Sequence, residues 1–215
     1  MKMMKPRQGP RSWPKLPALA ASYRSLFSDR RAVTLFAIVA VEATAVYGGF
    51  PYIADYLNMR TGNGPTEAGF LIGSYGVGGI IFGAIVGYLI RWLKPKQLMR
   101  VGGWTMVLVL VVLALPKPWY FDIATMIVFG CSFYCMHNVF QTQATELAPN
   151  ERGLAVSIFA CSFFVGNAMG PVLFGIGHTL FGYPTTYCLS GATLFLLTLI
   201  APRVLPKEVP RHLPR

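Results

Sequence analysis

Six runs of apolar residues, each close to the length that crosses a hydrocarbon core, alternate with short polar segments along this chain. They are Ala32–Phe50, Ala68–Ile90, Leu98–Leu115, Ile123–Thr142, Leu154–Phe174 and Tyr183–Ala201. A helix needs roughly 20 mainly apolar residues to span a core about 30 Å thick. Lipid offers no partner to a backbone N–H or C=O, so each run must satisfy its own hydrogen bonds by coiling. The pattern predicts an all-α, polytopic membrane protein with six transmembrane helices. Residues 1–28 form a basic linker segment, 29–205 the six-helix domain and 206–215 a basic tail. A water-soluble helical bundle fits poorly, because 54% of the residues are hydrophobic and the 13% that are charged gather between the runs.

Turn signals separate the runs. Ala54–Glu67, with Thr61-Gly62-Asn63-Gly64-Pro65, predicts a turn-rich outer loop, and Pro116–Tyr120 and Gly182-Tyr183-Pro184 predict the other two outer turns. Links this short predict that consecutive spans pack as antiparallel neighbours. The third and sixth spans are almost unbroken aliphatic sequence and are expected to face lipid on most sides.

Small residues distinguish the second and fifth spans. Gly69, Gly73, Gly76, Gly83 and Gly87 fall within about 80° of one another on a helical wheel. On the fifth span Ala155, Ser162, Gly166, Gly170 and Gly177 do the same. Small residues let helix backbones approach closely in lipid, where van der Waals packing drives association. The ridges serve either packing within this bundle or, in the sharper expectation, contact with something the chain does not supply.

Polar groups concentrate in the first and fourth spans. Glu42 lies near the middle of the first, about 15 Å from either end at 1.5 Å per residue. An ionised carboxylate at that depth costs several kcal/mol, on the order of 3 or more, unless it is paired, protonated or facing water. That makes Glu42 the candidate for proton coupling. Thr44 and Tyr47 point away from its face, so the first span meets polar surroundings on two sides. On the fourth span Cys131, Tyr134, Cys135, Asn138, Gln141, Thr142 and Thr145 form a stripe at helical spacing, the expected cavity wall. No basic residue lies at mid-depth in any span, so an uncharged or amphipathic solute suits this wall better than an anion. His137 and Gln143 lie off the stripe and are weaker candidates.

The net charge of +11 would suggest nucleic acid in a soluble protein. Its distribution argues for membrane insertion instead. Of the 19 Lys and Arg only Arg60 and Lys117 fall on the outer side of the zigzag, and this bias predicts cytoplasmic termini in a cell (inner) membrane. About 30 polar residues precede the first run, unlike a cleavable signal peptide. The four cysteines lie within spans, where neither a disulfide framework nor a metal site is expected, and His137 points away from the Cys131–Cys135 face. No phosphate-binding loop, zinc helix motif or nucleophile elbow is present, so the expectation is no enzyme and no cofactor.

Four stretches carry a family resemblance: Leu26-Phe27-Ser28-Asp29-Arg30-Arg31, Gly87 to Lys96, Glu146-Leu147-Ala148-Pro149-Asn150-Glu151-Arg152-Gly153, and Gly166-Asn167-Ala168-Met169-Gly170-Pro171. Together, over residues 24–205, they resemble the C-terminal six-helix half of a major facilitator superfamily transporter. The resemblance implies that the first and fourth spans line a cavity, the second and fifth meet the other half, and the third and sixth support them. It implies a cytoplasmic charge network at Arg91, Glu146 and Arg152. Arg91 stands where the family has an Asp and Lys94 where it has a Gly, which removes the acid that a latch at this turn would use.

The implied activity is alternating-access transport of a small organic solute, proton-coupled and closer in character to efflux carriers than to sugar importers. It requires a second six-helix half, from a separate chain or a second copy. The chain starts where the family's central loop would be, so a homodimer is the least expected arrangement. The alternative is a non-transporting subunit, scaffold or truncated fragment.

Overall fold

The computed structural model describes residues 16–149 and 151–205, and all of the regular structure within them is helical. The basic residues of 1–15 and 206–215 lie outside the described residues. A short helix, α1 (Leu16–Ser28), precedes the membrane-spanning part. Asp29 then starts α2 (Arg30–Tyr47), its carboxylate accepting the backbone N–H of Arg31 at 2.8 Å. A carboxylate here satisfies one of the four N–H groups that a helix start leaves open.

The first span breaks and then continues. Gly48-Gly49-Phe50-Pro51 ends α2, Phe50–Tyr52 makes one 3-10 turn, and α3 (Ile53–Thr61) carries the span on. This corrects the loop expected over Ala54–Glu67. Between Pro51 and Gly62 nothing breaks a helix, Asp55 sits in the first turn and Arg60 in the last, and both charges suit the helix dipole. The chain turns only at Gly62, whose φ of 73° suits a residue without a Cβ.

The remaining spans are α4 (Pro65–Trp92), α5 (Pro95–Ala114), α6 (Tyr120–Leu147), α7 (Arg152–Phe181) and α8 (Tyr183–Val204). Proline occupies the first helical position of α4 and α5, where its missing N–H does no harm. Glu67 and Gln97 reach back to the backbone N–H of Gly64 and Lys94 at 3.0 and 2.8 Å. At 28 residues, α4 and α6 are each about 42 Å long and extend past the hydrocarbon core.

Packing is broadest between helices that are not consecutive: α4 with α6, α2 with α7, and α5 with α8, joined by the consecutive pair α5 and α6. The expectation that consecutive spans pack as neighbours holds for α5 with α6 and is corrected for α4 with α5 and α7 with α8, which touch only narrowly. The chain contains two three-span units, α2–α5 and α6–α8, and exchanging them maps α4 against α6 onto α7 against α2.

Glycine permits both of these crossings. A Cβ on Gly130 of α6 would enter the carbonyl oxygen of Tyr75, and one on Gly78 of α4 would enter the carbonyl of Ile127. On the other side Gly166 lies against the carbonyl of Ala40, and Gly170 against Thr44 and Gly48.

The buried centre runs along α5 and α6 through Met99, Met106, Met126, Phe129, Phe133, Met136 and Phe140. Hydropathy does not rank the burial of the spans: α4 and α7 each bury 22%, against 56% for the first span, 50% for α6, 44% for α5 and 39% for α8. The helices expected to face lipid on most sides are thus better covered than the two glycine-rich ones.

Candidate functional site

Glu42 is completely buried on α2. Its Oε2 lies 2.7 Å from Nδ1 of His137 on α6, a residue that the wheel had placed off the polar stripe. The two helices bring together side chains 95 positions apart, which no pattern within one span could reveal. Three phenyl rings surround the imidazole. Phe133 stacks on it with centroids 4.8 Å apart, while Phe163 and Phe159 of α7 approach to 5.1 and 5.2 Å. The other carboxyl oxygen of Glu42, Oε1, has no hydrogen-bond partner. His137 keeps 13% of its side chain exposed and Glu42 none, so the imidazole is the member of the pair nearer to the surroundings.

Tyr47, one and a half turns along α2, shares a hydrogen bond of 2.9 Å with Tyr75 of α4. Its ring packs edge-on against Tyr75, Phe133 and Phe163, so it belongs to the aromatic wall next to the pair. Thr44 faces α7 and donates to the carbonyls of Ala40 and Gly166 at 2.9 and 3.1 Å.

The α6 stripe lies on a different face. Tyr134 is 38% exposed and stacks on Phe82 of α4, Asn138 is half-buried, and Gln141 and Thr142 are exposed. Thr142 donates to the carbonyl of Asn138 at 2.9 Å. Cys135 leaves the stripe and is buried against Gly102 of α5. Among the described residues no hydrogen bond joins this stripe to Glu42, and no group of three His, Cys, Asp or Glu side chains is placed to hold a metal.

The two glycine ridges have different surroundings. A Cβ at Gly69, Gly73, Gly76, Gly83 or Gly87 of α4 would meet nothing within 4 Å. Gly166 and Gly170 of α7 press on the α2 backbone, so the expectation that both ridges face outward is corrected for α7. Its outward face instead carries Phe164, Val165, Met169, Val172 and Ile176, each more than half exposed.

At the Arg30 end of the bundle, Arg91, Glu146 and Arg152 are exposed, and among the described residues no ion pair joins them. Nearby, Ser22 of α1 donates to Glu151 at 2.5 Å.

A charge cluster does form at the opposite end, and sequence reasoning missed it. Asp122, 1% exposed in the first turn of α6, pairs with Arg60 and, at 2.7 Å, with Lys117. Arg60 also reaches the carbonyls of Leu113 and Leu115 at 3.4 and 3.3 Å, and Lys117 that of Val112 at 2.5 Å. These are among the carbonyls that the end of α5 leaves without helical partners, so the cations complement its dipole while Asp122 complements the start of α6. The available signal was that Arg60 and Lys117, the two basic residues at this end of the zigzag, share it with an acid at a helix start, Asp122.

A model of the family described as Major Facilitator Superfamily matches residues 3–152 and 140–215. No curated protein matches. Among solved structures, the chain is similar to a mutant of the peptide transporter POT in complex with sulfate, with a TM-score of 0.68 and 18% identity over 80% of this chain and 37% of that one. The same transporter in complex with alafosfalin gives a TM-score of 0.65 and 20% identity over 80% and 38%. Likeness at this identity concerns the fold. The chain spans well under half the length of the transporter it matches. Six helices long and apolar enough to cross a membrane, together with the family match, make this an integral multi-pass membrane protein.

Proposed function

This chain belongs to the Major Facilitator Superfamily, and from that membership we propose that it works as one six-helix half of a secondary transporter. In this reading it moves a small organic solute by alternating access and couples that movement to protons at Glu42. The second half comes from a separate chain or a second copy, and both termini are cytoplasmic.

The observation that carries the reading is the combination on α4 of an open glycine ridge and an apolar, largely uncovered surface. Glycine lowers helix propensity by about 1 kcal/mol relative to alanine. A ridge that packed against nothing would bring no compensating contact, whereas against a second bundle it permits close backbone approach. Tyr134, Asn138, Gln141 and Thr142 supply neutral polar groups on an uncovered face of α6, as a wall for an uncharged or amphipathic solute would require.

Two measurements test this. In native-lipid particles the 23.6 kDa chain is expected to run in a larger complex. Gly83→Leu should release it without lowering its own thermal stability, since position 83 touches nothing within the chain. A strict monomer in lipid would remove the half-transporter reading. In the assembled protein Glu42→Gln should abolish solute flux driven by a pH gradient while leaving the complex intact. Undiminished pH-driven flux in that variant would remove Glu42 from the mechanism.

A further inference from the structure

We infer that His137 is the second member of the proton site: Glu42 and His137 hold one proton between them, the imidazole is its port, and the shared proton ties α6 to α2. This deepens the proton-coupled reading above and rests on it for its place in transport.

Oε2 of Glu42 and Nδ1 of His137 are 2.7 Å apart between two different spans, and among the described residues this is the one ionic contact that either side chain makes. The groups around them carry no compensating charge. From α2 and α4 come the phenols of Tyr47 and Tyr75, bonded to each other, and from α7 come Phe159 and Phe163. On α6 the neighbouring titratable groups are Tyr134, turned towards Phe82, and Cys135, turned towards Gly102. On α8, Tyr187 lies against Gly49, beyond the end of α2.

The proton count follows. With one proton the pair is neutral overall, whether the proton sits on Nδ1 beside a carboxylate or on Oε2 beside a neutral imidazole. A second proton leaves an imidazolium beside a neutral acid, with net charge +1. Loss of the proton leaves a carboxylate beside a neutral imidazole, with net charge −1. Either change places an uncompensated charge in a site that Glu42 shares with no solvent, which is strongly unfavourable.

One proton therefore stays while the two side chains touch, and exchange accompanies their separation. The partly exposed imidazole is the route: with the two side chains apart a proton is taken up or given up at an imidazole nitrogen, and renewed contact holds it between Nδ1 and Oε2. Glu42 does not titrate as a lone carboxylate. Movement of α6 relative to α2 and protonation of the pair become one event.

The test uses the full chain in lipid with 15N-labelled histidine, so that the imidazoles report directly by NMR. The expected result is one histidine, absent in His137→Phe, whose ring nitrogens keep a single hydrogen-bonded signature across about pH 5 to 8, the range in which a free imidazole changes charge. In Glu42→Gln that signature is lost and the ring responds to pH or becomes neutral throughout. Where Glu42→Gln does not fold, Glu42→Asp, one methylene shorter, should break the contact and give the same loss. A His137 signal that titrates in the wild type and is unmoved by either Glu42 variant would overturn the shared proton. These spectra require no transport. Should they hold while pH-driven flux survives Glu42→Gln, it is the coupling reading that fails, and the claim for this pair as the transport proton site fails with it.

Discussion

Gly130→Val is expected to open the bundle at the close crossing of α4 and α6 and to lower its stability by about 3 kcal/mol or more, toward the upper end of what overpacking costs. The new side chain would meet the main-chain carbonyl of Tyr75, and a backbone cannot swing aside as a flexible side chain can. To make room, α4 and α6 must separate, which disturbs the contacts of Tyr75 with Phe129 and Phe133. Gly166→Val should act alike at the equivalent crossing of α7 against α2, where it would meet Ala40. Gly83→Val is the matched control. It adds the same atoms to a glycine helix in open surroundings and should leave thermal unfolding of the isolated chain in detergent near the wild-type midpoint. Equal stability of all three variants would mean that the close crossings do not exist.

The second large effect concerns the other end of the molecule. Asp122→Asn removes the counter-charge of both Arg60 and Lys117, whose side chains are only 9% and 17% exposed. Unpaired charges in such surroundings cost about 3 kcal/mol or more, so the variant should unfold at markedly lower temperature or denaturant. The triple change Asp122→Asn, Arg60→Gln, Lys117→Gln should recover part of that loss, because no ion is then left without a partner. Detergent-solubilised chains compared by thermal unfolding decide this. A triple variant less stable than Asp122→Asn would show that the cations contribute chiefly by capping the α5 carbonyls rather than through Asp122.

These expectations come from different levels of description. That Gly130 and Gly83 differ is invisible in the sequence, where both are glycines in apolar helices. The same limit explains the α7 ridge. Its spacing matches that of α4, yet Gly166 and Gly170 press on α2 while the α4 ridge lies open. A wheel identifies which residues share a face but not what that face meets. The position of His137 off the polar stripe of its own helix likewise says nothing of what it meets. Its partner lies on another span, and only the packing of α6 against α2 reveals it.

What the sequence determined by itself follows from the solvent. Lipid leaves backbone groups no external partner, so six apolar runs of sufficient length had to become six helices, and an acid in the middle of one had to acquire a special environment. The pairing of two three-span units, the Glu42–His137 contact and the Asp122 cluster were decided only by tertiary structure. Each depends on which helices cross closely, and the crossings depend on glycines at particular depths meeting particular carbonyls. Periodicity along one helix carries no information about that meeting.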